Sequence, residues 1–397
     1  MRVMFTLWNW TTHLYPMVPL AWSLRAAGHE VVVATQPGLV PAVRGTGLPA
    51  VAVGADVDTA AMMGQYVQRS RRHDAQLVEW AQMRRFGPRN CWLGVAAAEA
   101  MTGGLHGFAR AWQPDLVVFE ATTYAGPIVA RLLGVPAVRH TWGIDYACLT
   151  REFEDEALAD LCARWGLPGV EPLGEVTVDP CPPSVQVVAG GPVPGVPEVT
   201  RLPMRYVPFN GPGVLPGWLT EPRRGKRICV TWGLSNGRFD KELVVTGRVV
   251  EALAGLGAEV VAAVPAAEGD AIEAVAPNVR VVRGLPFHAL LPTCDAVVSQ
   301  GGLGTLLTAV AAGVPQVVVP QRADLILNAR QLAAAGAADF VFPGDGFEEL
   351  LTGKVAAVLA GSLDDGARKL SAELHELPTP NQIAARLPLR EAASTAA

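Results

Sequence analysis

Along most of the chain, short apolar runs alternate with longer stretches whose apolar positions recur every three or four residues. The runs predict buried strands and the longer stretches predict helices lying on a sheet, together a parallel α/β architecture. In the first half, RVMFTLW (2–8) predicts a strand and MVPLAWSLRAAG (17–28) a helix closed by Gly28. HEVVVATQ (29–36), PDLVVFE (114–120) and VPAVRH (135–140) predict further strands, with Pro114-Asp115 and Gly134-Val135-Pro136 as entry turns. Eleven prolines then fall between Pro180 and Pro222, a density that forbids a helix and predicts an extended linker. Beyond it the pattern restarts. Strands are expected at RICVTWG (227–233), EVVAAV (259–264), VRVVRG (279–284), AVVSQ (296–300) and QVVVP (316–320). Helices are expected at 241–257, after the glycines at 301–304, and at NARQLAAAG (328–336). The expectation is two Rossmann-like domains with a ligand cleft between them. The boundaries read as 1–205, a linker 206–224, 225–375, and a tail 376–397 with a frayed EAASTAA end.

Composition narrows the functional classes. A chain of 397 residues exceeds the roughly 250–300 that one core sustains, so two domains are expected. Only 17% of residues are charged, the net charge is -5 and no basic block occurs, which argues against nucleic acid. No apolar run reaches a membrane span, and His13, Pro16 and Pro19 interrupt the apolar start, so the N-terminus reads as a strand rather than a signal peptide. The six cysteines lack CxxC or zinc spacing, as expected of thiols in a reducing cytoplasm.

Four constellations carry candidate chemistry. In DAVVSQGGLGTLLTAVAAGVPQVVVPQ (295–321), Gly301, Gly302, Gly304 and Thr305 sit between a strand and a helix, where backbone N–H groups and the helix dipole favour an anion. The turn lacks the Gly-Lys-Ser/Thr of a P-loop and the spacing of a dinucleotide fingerprint; the competing reading is a tight connection that needs small residues. Gly233-Leu-Ser235-Asn-Gly237 matches the nucleophile elbow of α/β-hydrolases, with His288 or His375 as a triad partner on paper. Against that stand RFDKELV where a helix should follow and the lack of an HGG-type oxyanion motif. His13 follows the first strand, where open α/β sheets place ligands, and its ordinary pKa suits a general base. Glu120 ends a parallel strand at the same edge and could orient that imidazole; capping the next helix is the alternative. Asp56-Val57-Asp58 is a DxD string of the metal-binding kind, read here as a solvated loop.

The order of these motifs resembles the GT-B nucleotide-sugar-dependent glycosyltransferases, in the bacterial natural-product branch that decorates polyketide and enediyne aglycones. The resemblance rests on HLYPMVPLAWSLRAAGHEVVVAT, PDLVVFEATTYAGPIVARLLGVPAV, ICVTWGLS, the stretch from LPFHALLPTCDAVVSQGGLGT to NARQLAAAG, and LPTP near the end. It implies that His13 deprotonates the acceptor hydroxyl with Glu120 in support. It further implies that Thr231 and Gly233, with Gln300, Gly301, Gly302, Leu303, Gly304 and Thr305, hold the donor diphosphate, and that Asp324 reads sugar hydroxyls. Inversion in one displacement without a metal or other cofactor follows from the family, the nucleotide sugar being a co-substrate. Dimers are common in the resembled branch, although nothing in the sequence marks an interface.

The chain departs from the family pattern at several positions. Ser299-Gln300 stands where HH usually precedes the glycines, so a neutral amide replaces an ionisable phosphate donor. Gly284, next to Leu285, stands where an aromatic usually stacks on the base. Leu325 replaces the Gln after the sugar-reading Asp, which would leave a sugar hydroxyl unpaired and so implies a deoxysugar, most often carried on dTDP. Thr12 replaces a Gly, with Trp8 and Trp10 nearby. Trp80, Phe86, Trp92 and Trp142 fall in the variable acceptor region and are expected to wall a pocket for a flat hydrophobic aglycone. The activity implied is transfer of a deoxysugar to a hydroxyl of a hydrophobic natural product in antibiotic biosynthesis, with an ortho carbon of a phenolate left open as the nucleophile. The alternatives are a non-catalytic GT-B activating partner and, less favoured, the Ser235 hydrolase.

Overall fold

Two parallel sheets form where the alternating pattern predicts them, each within its own unit of a computed structural model that describes residues 1–64, 84–187, 200–223, 225–233, 237, 243–264 and 275–388. The first unit comprises Met1–Asp58, Met83–Gly211 and Leu377–Ala397; the second comprises Thr59–Gln82 and Pro212–Glu376. Sheet one contains β1 (Arg2–Leu7), β2 (Glu30–Thr35), β3 (Ala50–Ala52), β4 (Leu116–Glu120), β5 (Ala137–His140), β6 (Val176–Asp179) and β7 (Thr200–Pro203), in the order β3-β2-β1-β4-β5-β6-β7. Sheet two contains β8 (Arg227–Thr231), β9 (Glu259–Val264), β10 (Val279–Arg283), β11 (Ala296–Ser299), β12 (Gln316–Val318) and β13 (Ala338–Phe340), in the order β10-β9-β8-β11-β12-β13. Every pairing is parallel. In each sheet the first strand lies inside and strand order runs away from it in both directions, so the switch points fall between β1 and β4 and between β8 and β11.

Helices cover both faces, which is why these strands read as continuous apolar runs. Val3, Phe5 and Leu7 of β1 pack with Leu14, Met17 and Val18. On β8 the period of two sends Ile228 and Val230 into one cluster with Val249 and Phe347, and Cys229 into another with Val261 and Leu290. The helix carrying Leu14 spans Thr11–Ala26 and so starts earlier than expected, with Pro16 and Pro19 inside it. Each proline removes one backbone hydrogen bond. Burial of Leu14, Met17, Val18, Leu20, Ala21 and Leu24 outweighs that loss and places His13 in the first turn. The same shift occurs at helix Ala323–Ala334, which begins ahead of the expected Asn328 and takes Asp324 into its first turn. Helix Thr246–Ala254 is shorter than the 241–257 pattern.

The proline-rich segment differs most from expectation. Part of it is strand β7, the edge of sheet one, paired with β6 in the register Val176↔Thr200 to Asp179↔Pro203. Pro203 is tolerated there because an edge strand has one neighbour only. A buried charge network holds the edge in place. Arg139 of β5 grips Asp145 bidentately at 2.8 and 2.6 Å, and Arg201 of β7 reaches both Asp145 and Asp179 at 2.7 Å. Burial pushes the Asp145 carboxyl up, but Arg139 and Arg201 outweigh it and bring it down to about 2. At the other end of the chain, helix Pro380–Ala384 opens with a capping box between Thr379 and Gln382, and Ile383 and Ala384 join the core of the first unit. EAASTAA lies outside the described residues. Among the described residues no helix is long and apolar enough to cross a membrane.

Glu154, on helix Arg151–Arg164, is a second buried acid in this unit. It accepts a hydrogen bond from the Tyr124 hydroxyl at 2.9 Å, and burial pushes its carboxyl up to about 7. Because the folded value lies above the ordinary 4.5, its contribution to stability is complete below that pH and is lost as the pH rises toward 7. Glu154→Gln keeps an acceptor for Tyr124 and cannot ionise. We expect the variant to gain stability on the wild type by about 2–3 kcal/mol across that window, read from urea denaturation midpoints at both ends of it.

Candidate active site

The switch point of sheet one brings together the residues that could move a proton. β1 leads through Trp8, Asn9 and Trp10 into helix Thr11–Ala26, while the β1–β4 pairing sets the end of β4, Glu120, beside it. His13 Nδ1 lies 3.2 Å from Glu120 Oε1, close enough for an ion pair but off the line of a well-aimed hydrogen bond. Such contacts are commonly bent before substrate binds. Glu120 is fully buried. The Thr122 hydroxyl lies 3.0 Å from both of its oxygens, and the Thr123 hydroxyl donates to Oε2 at 2.7 Å. Burial alone would raise its pKa; His13, Thr123 and Thr122 together outweigh burial and hold it below the ordinary value. Trp8 anchors the arrangement by donating its indole N–H to Thr122 at 2.9 Å.

His140 pairs with Glu120 across the sheet but is a different kind of imidazole. Its Nδ1–H donates to the Thr141 carbonyl at 2.6 Å, and burial pushes its pKa down to about 4, so it is neutral near pH 7. Among the described residues, three indoles meet His13. Trp142 lies face to face with it at 4.1 Å and 13°, while Trp8 and Trp10 meet it at steep angles, 78° at 5.5 Å and 67° at 6.3 Å.

The switch point of sheet two brings together the residues that could hold an anion. Ser299 of β11 lies opposite Thr231 of β8 and Val318 of β12, so the turn after Ser299 emerges beside the turn after Thr231. Gly301 has φ +96°, and a Cβ there would lie 2.8 Å from Val318 Cγ1; no other residue fits. Its N–H donates to Ser299 Oγ at 3.2 Å, and its carbonyl accepts from Asn328 Nδ2 at 2.9 Å. Gly233, at φ +62°, is equally constrained, since a Cβ would meet Gln300 Nε2 at 2.7 Å; on Gly302 it would meet the same atom at 3.0 Å. The Gln300 amide is thus wedged between two glycines, 5% exposed, with Oε1 unpartnered. Gly302 caps helix Leu303–Ala312 with no side-chain hydrogen bond, and the first turn, with Gly304 and Thr305, holds no acidic residue. The positive end of that helix dipole therefore has no protein carboxylate of its own.

The remaining candidates take varied positions. Asp324 lies in the first turn of its helix, part exposed and 3.1 Å from Arg322. Leu325 is buried, with its backbone and Cβ close beneath Gly301, and Leu285 belongs to the core cluster of Leu290 and Val282. Thr12 and Trp92 are half-buried, Trp92 opening helix Trp92–Trp112, and half-buried Phe86 carries the Arg85 guanidinium 5.0 Å from its ring. Trp80 and Ser235 lie outside the described residues. Asp56 of the DxD string accepts from the Gly38 amide at 3.0 Å and from Asn9 at 3.1 Å, closing two loops. Sequence reasoning missed Thr122, Thr123, Asn328 and Arg322. The first two carried a local signal, as hydroxyls two and three residues after a carboxylate; Arg322, two before Asp324, carried a weaker one.

Comparison with known proteins gives the same picture over the whole chain. The family described as "Erythromycin biosynthesis protein CIII-like, N-terminal domain" matches residues 22–233, and its C-terminal counterpart matches 247–389. The chain is 36% identical to the 10-deoxymethynolide desosaminyltransferase of Streptomyces venezuelae, across 98% of this chain and 96% of that protein. It is 34% identical to the aclacinomycin-T 2-deoxy-L-fucose transferase of Streptomyces galilaeus, across 96% and 94%. The structure of the glycosyltransferase VinC in complex with dTDP superposes with a TM-score of 0.81 at 34% identity, covering 97% of this chain and 98% of that one.

The hydroxyl contacts to Glu120 give a direct test. Thr123→Val removes a donor to a buried carboxylate and is expected to cost about 1.5–3 kcal/mol near neutral pH. Because the folded pKa of Glu120 is depressed, this contribution is present above the ordinary 4.5 and lost as the pH falls through the folded value. The gap between wild type and variant should therefore narrow in acid, as measured by urea denaturation at the two pH values.

Proposed function

Because the chain belongs to the erythromycin biosynthesis protein CIII-like family of GT-B glycosyltransferases, we propose that it transfers a deoxysugar from a dTDP donor to a hydroxyl of a hydrophobic natural-product aglycone. The transfer inverts the anomeric carbon and uses no metal. The observation that carries this reading is the His13–Glu120 pair at the switch point of sheet one. With Nδ1 turned to Glu120, Nε2 is the nitrogen left for the acceptor. The acceptor O–H proton passes to Nε2 as the oxygen bonds to the anomeric carbon and the bond from that carbon to the diphosphate breaks. The imidazolium formed rests against the Glu120 carboxylate, as in other oriented-histidine sites. A single displacement from the face opposite the leaving group inverts the centre.

The leaving diphosphate is assigned to Thr231, Gly233 and the 300–305 turn, where backbone amides and an uncompensated helix N-terminus favour an anion. Gln300 supplies a neutral N–H where an ionisable group would bind about twice as strongly. Asp324 is assigned to the sugar hydroxyls. Leu325, buried and without a polar atom, supports a sugar deoxygenated on that side, and the transferases similar to this chain carry desosaminyl and 2-deoxy-L-fucose in their names. The dTDP bound in VinC supports the choice of nucleotide. The hydrolase and non-catalytic readings are not favoured.

Two measurements test the proposal. Thermal-shift titration with dTDP, UDP and NAD should show stabilisation by dTDP above UDP and none by NAD, about 2.7 kcal/mol at a hundredfold excess over Kd. No shift with either diphosphate would overturn the donor assignment. His13→Ala should lower transfer about 10²–10⁴-fold while the dTDP shift persists, and full activity in that variant would overturn the assignment of the base.

A further inference from the structure

Trp142 is placed by the same strand pairing that places Glu120. β5 ends at His140, directly opposite Glu120, and the chain continues for two residues to Trp142. The indole is 8% exposed. It meets the Tyr146 ring at 77° and 5.6 Å, and its N–H donates to the Tyr146 hydroxyl at 3.3 Å. Its face covers the His13 ring at 4.1 Å with an interplanar angle of 13°. Neutral aromatic pairs favour edge-to-face or offset packing over a close face-to-face sandwich, and Trp8 and Trp10 meet His13 at such steep angles. A cation over an indole face is attracted by the ring quadrupole, most strongly where water is scarce. The His13 ring lies well inside the roughly 6 Å over which an indole face attracts a cation, so any positive charge on it would be stabilised there.

We infer that Trp142 is a positioning residue for His13, its indole face fixing the imidazole plane and stabilising the imidazolium that forms when the acceptor proton arrives. The inference rests on the reading of His13 as the base. Trp142 then acts through His13 rather than as a wall of an aglycone pocket. Among the described residues, the groups that bear on the His13 charge are Glu120 on β4, the Tyr146 hydroxyl beyond Trp142 and His140 opposite Glu120. Tyr15 lies on the same helix, and Asp56 is held by Asn9 in the loop that precedes it. Glu120 favours the charged ring through its carboxylate and Trp142 through its π face.

The test follows the His13 ring by NMR titration in the full-length protein, with its resonance among seven histidines assigned through His13→Ala. In Trp142→Leu the His13 pKa should fall by about half to one unit, and in Trp142→Phe by less, since a benzene face attracts a cation more weakly than indole. A general base must be unprotonated to work, so the acid limb of kcat/KM for glycosyl transfer should move to lower pH by the same amount. Tyr146→Phe, which keeps the indole but loosens its anchor, should move both in the same direction by less. An unchanged His13 pKa in either Trp142 variant, or a raised acceptor KM with a fixed acid limb, would overturn the inference and make Trp142 an acceptor wall. If Trp142→Leu does not fold, Trp142→Phe and Tyr146→Phe carry the test alone. Full transfer by His13→Ala would defeat the base assignment instead, and the NMR shift still reports on the stack.

Discussion

In a parallel sheet every strand delivers its carboxyl end to the same edge, and this constraint organises all the chemistry described above. Where strand order reverses, the two loops flanking the first strand diverge and leave their residues facing a common space. β1 and β4 deliver His13 and Glu120 in this way; β8 and β11 deliver Thr231 and the Gln300 turn. Neither pair is adjacent in the chain. Their meeting is fixed by backbone hydrogen bonds several residues earlier, at Val3↔Leu116 and Ile228↔Ala296.

That dependence explains what the sequence reveals. The apolar runs at 116–120, 227–231 and 296–299 mark strands because both faces are buried, and the motifs at their ends inherit their positions from that. Helix starts are harder to read. Pro16 and Pro19 argue locally against a helix, and only burial of six apolar side chains against the sheet overrides them. β7 was hidden for a related reason. Its support is Arg201 reaching Asp145 and Asp179, partners far enough away in sequence that no local pattern registers them. Asn328 was hidden as well, since its use is to hold the carbonyl of Gly301, a contact that exists only after the turn has closed.

The two units differ in how they handle charge. In the first unit, the fully buried Glu120 carboxylate is met by two hydroxyls, the His13 imidazole at 3.2 Å and, through Thr122, an indole. Removing any one of these leaves a desolvated anion short of a partner, so the site resists piecemeal change. At the turn, the attraction for an anion comes from amides and a helix end, while Gln300 contributes dipole rather than charge. Among its described residues, a turn of that kind has no ionisable side chain of its own.

The short helix Pro380–Ala384 has a consequence for recombination. It belongs to the first unit, where Ile383, Ala384 and Leu387 pack into the cluster that contains Leu14, Met17 and Val18 on the helix bearing His13. The chain therefore passes between the units at 58/59, 82/83, 211/212 and 376/377, and the last of these returns it to the first unit. A chimera joined at 211/212 alone would set the terminal helix of one parent against the His13-bearing helix of the other. Exchange of the 212–376 segment between relatives keeps the native surroundings of the His13 helix only when the chain is also rejoined at 376/377.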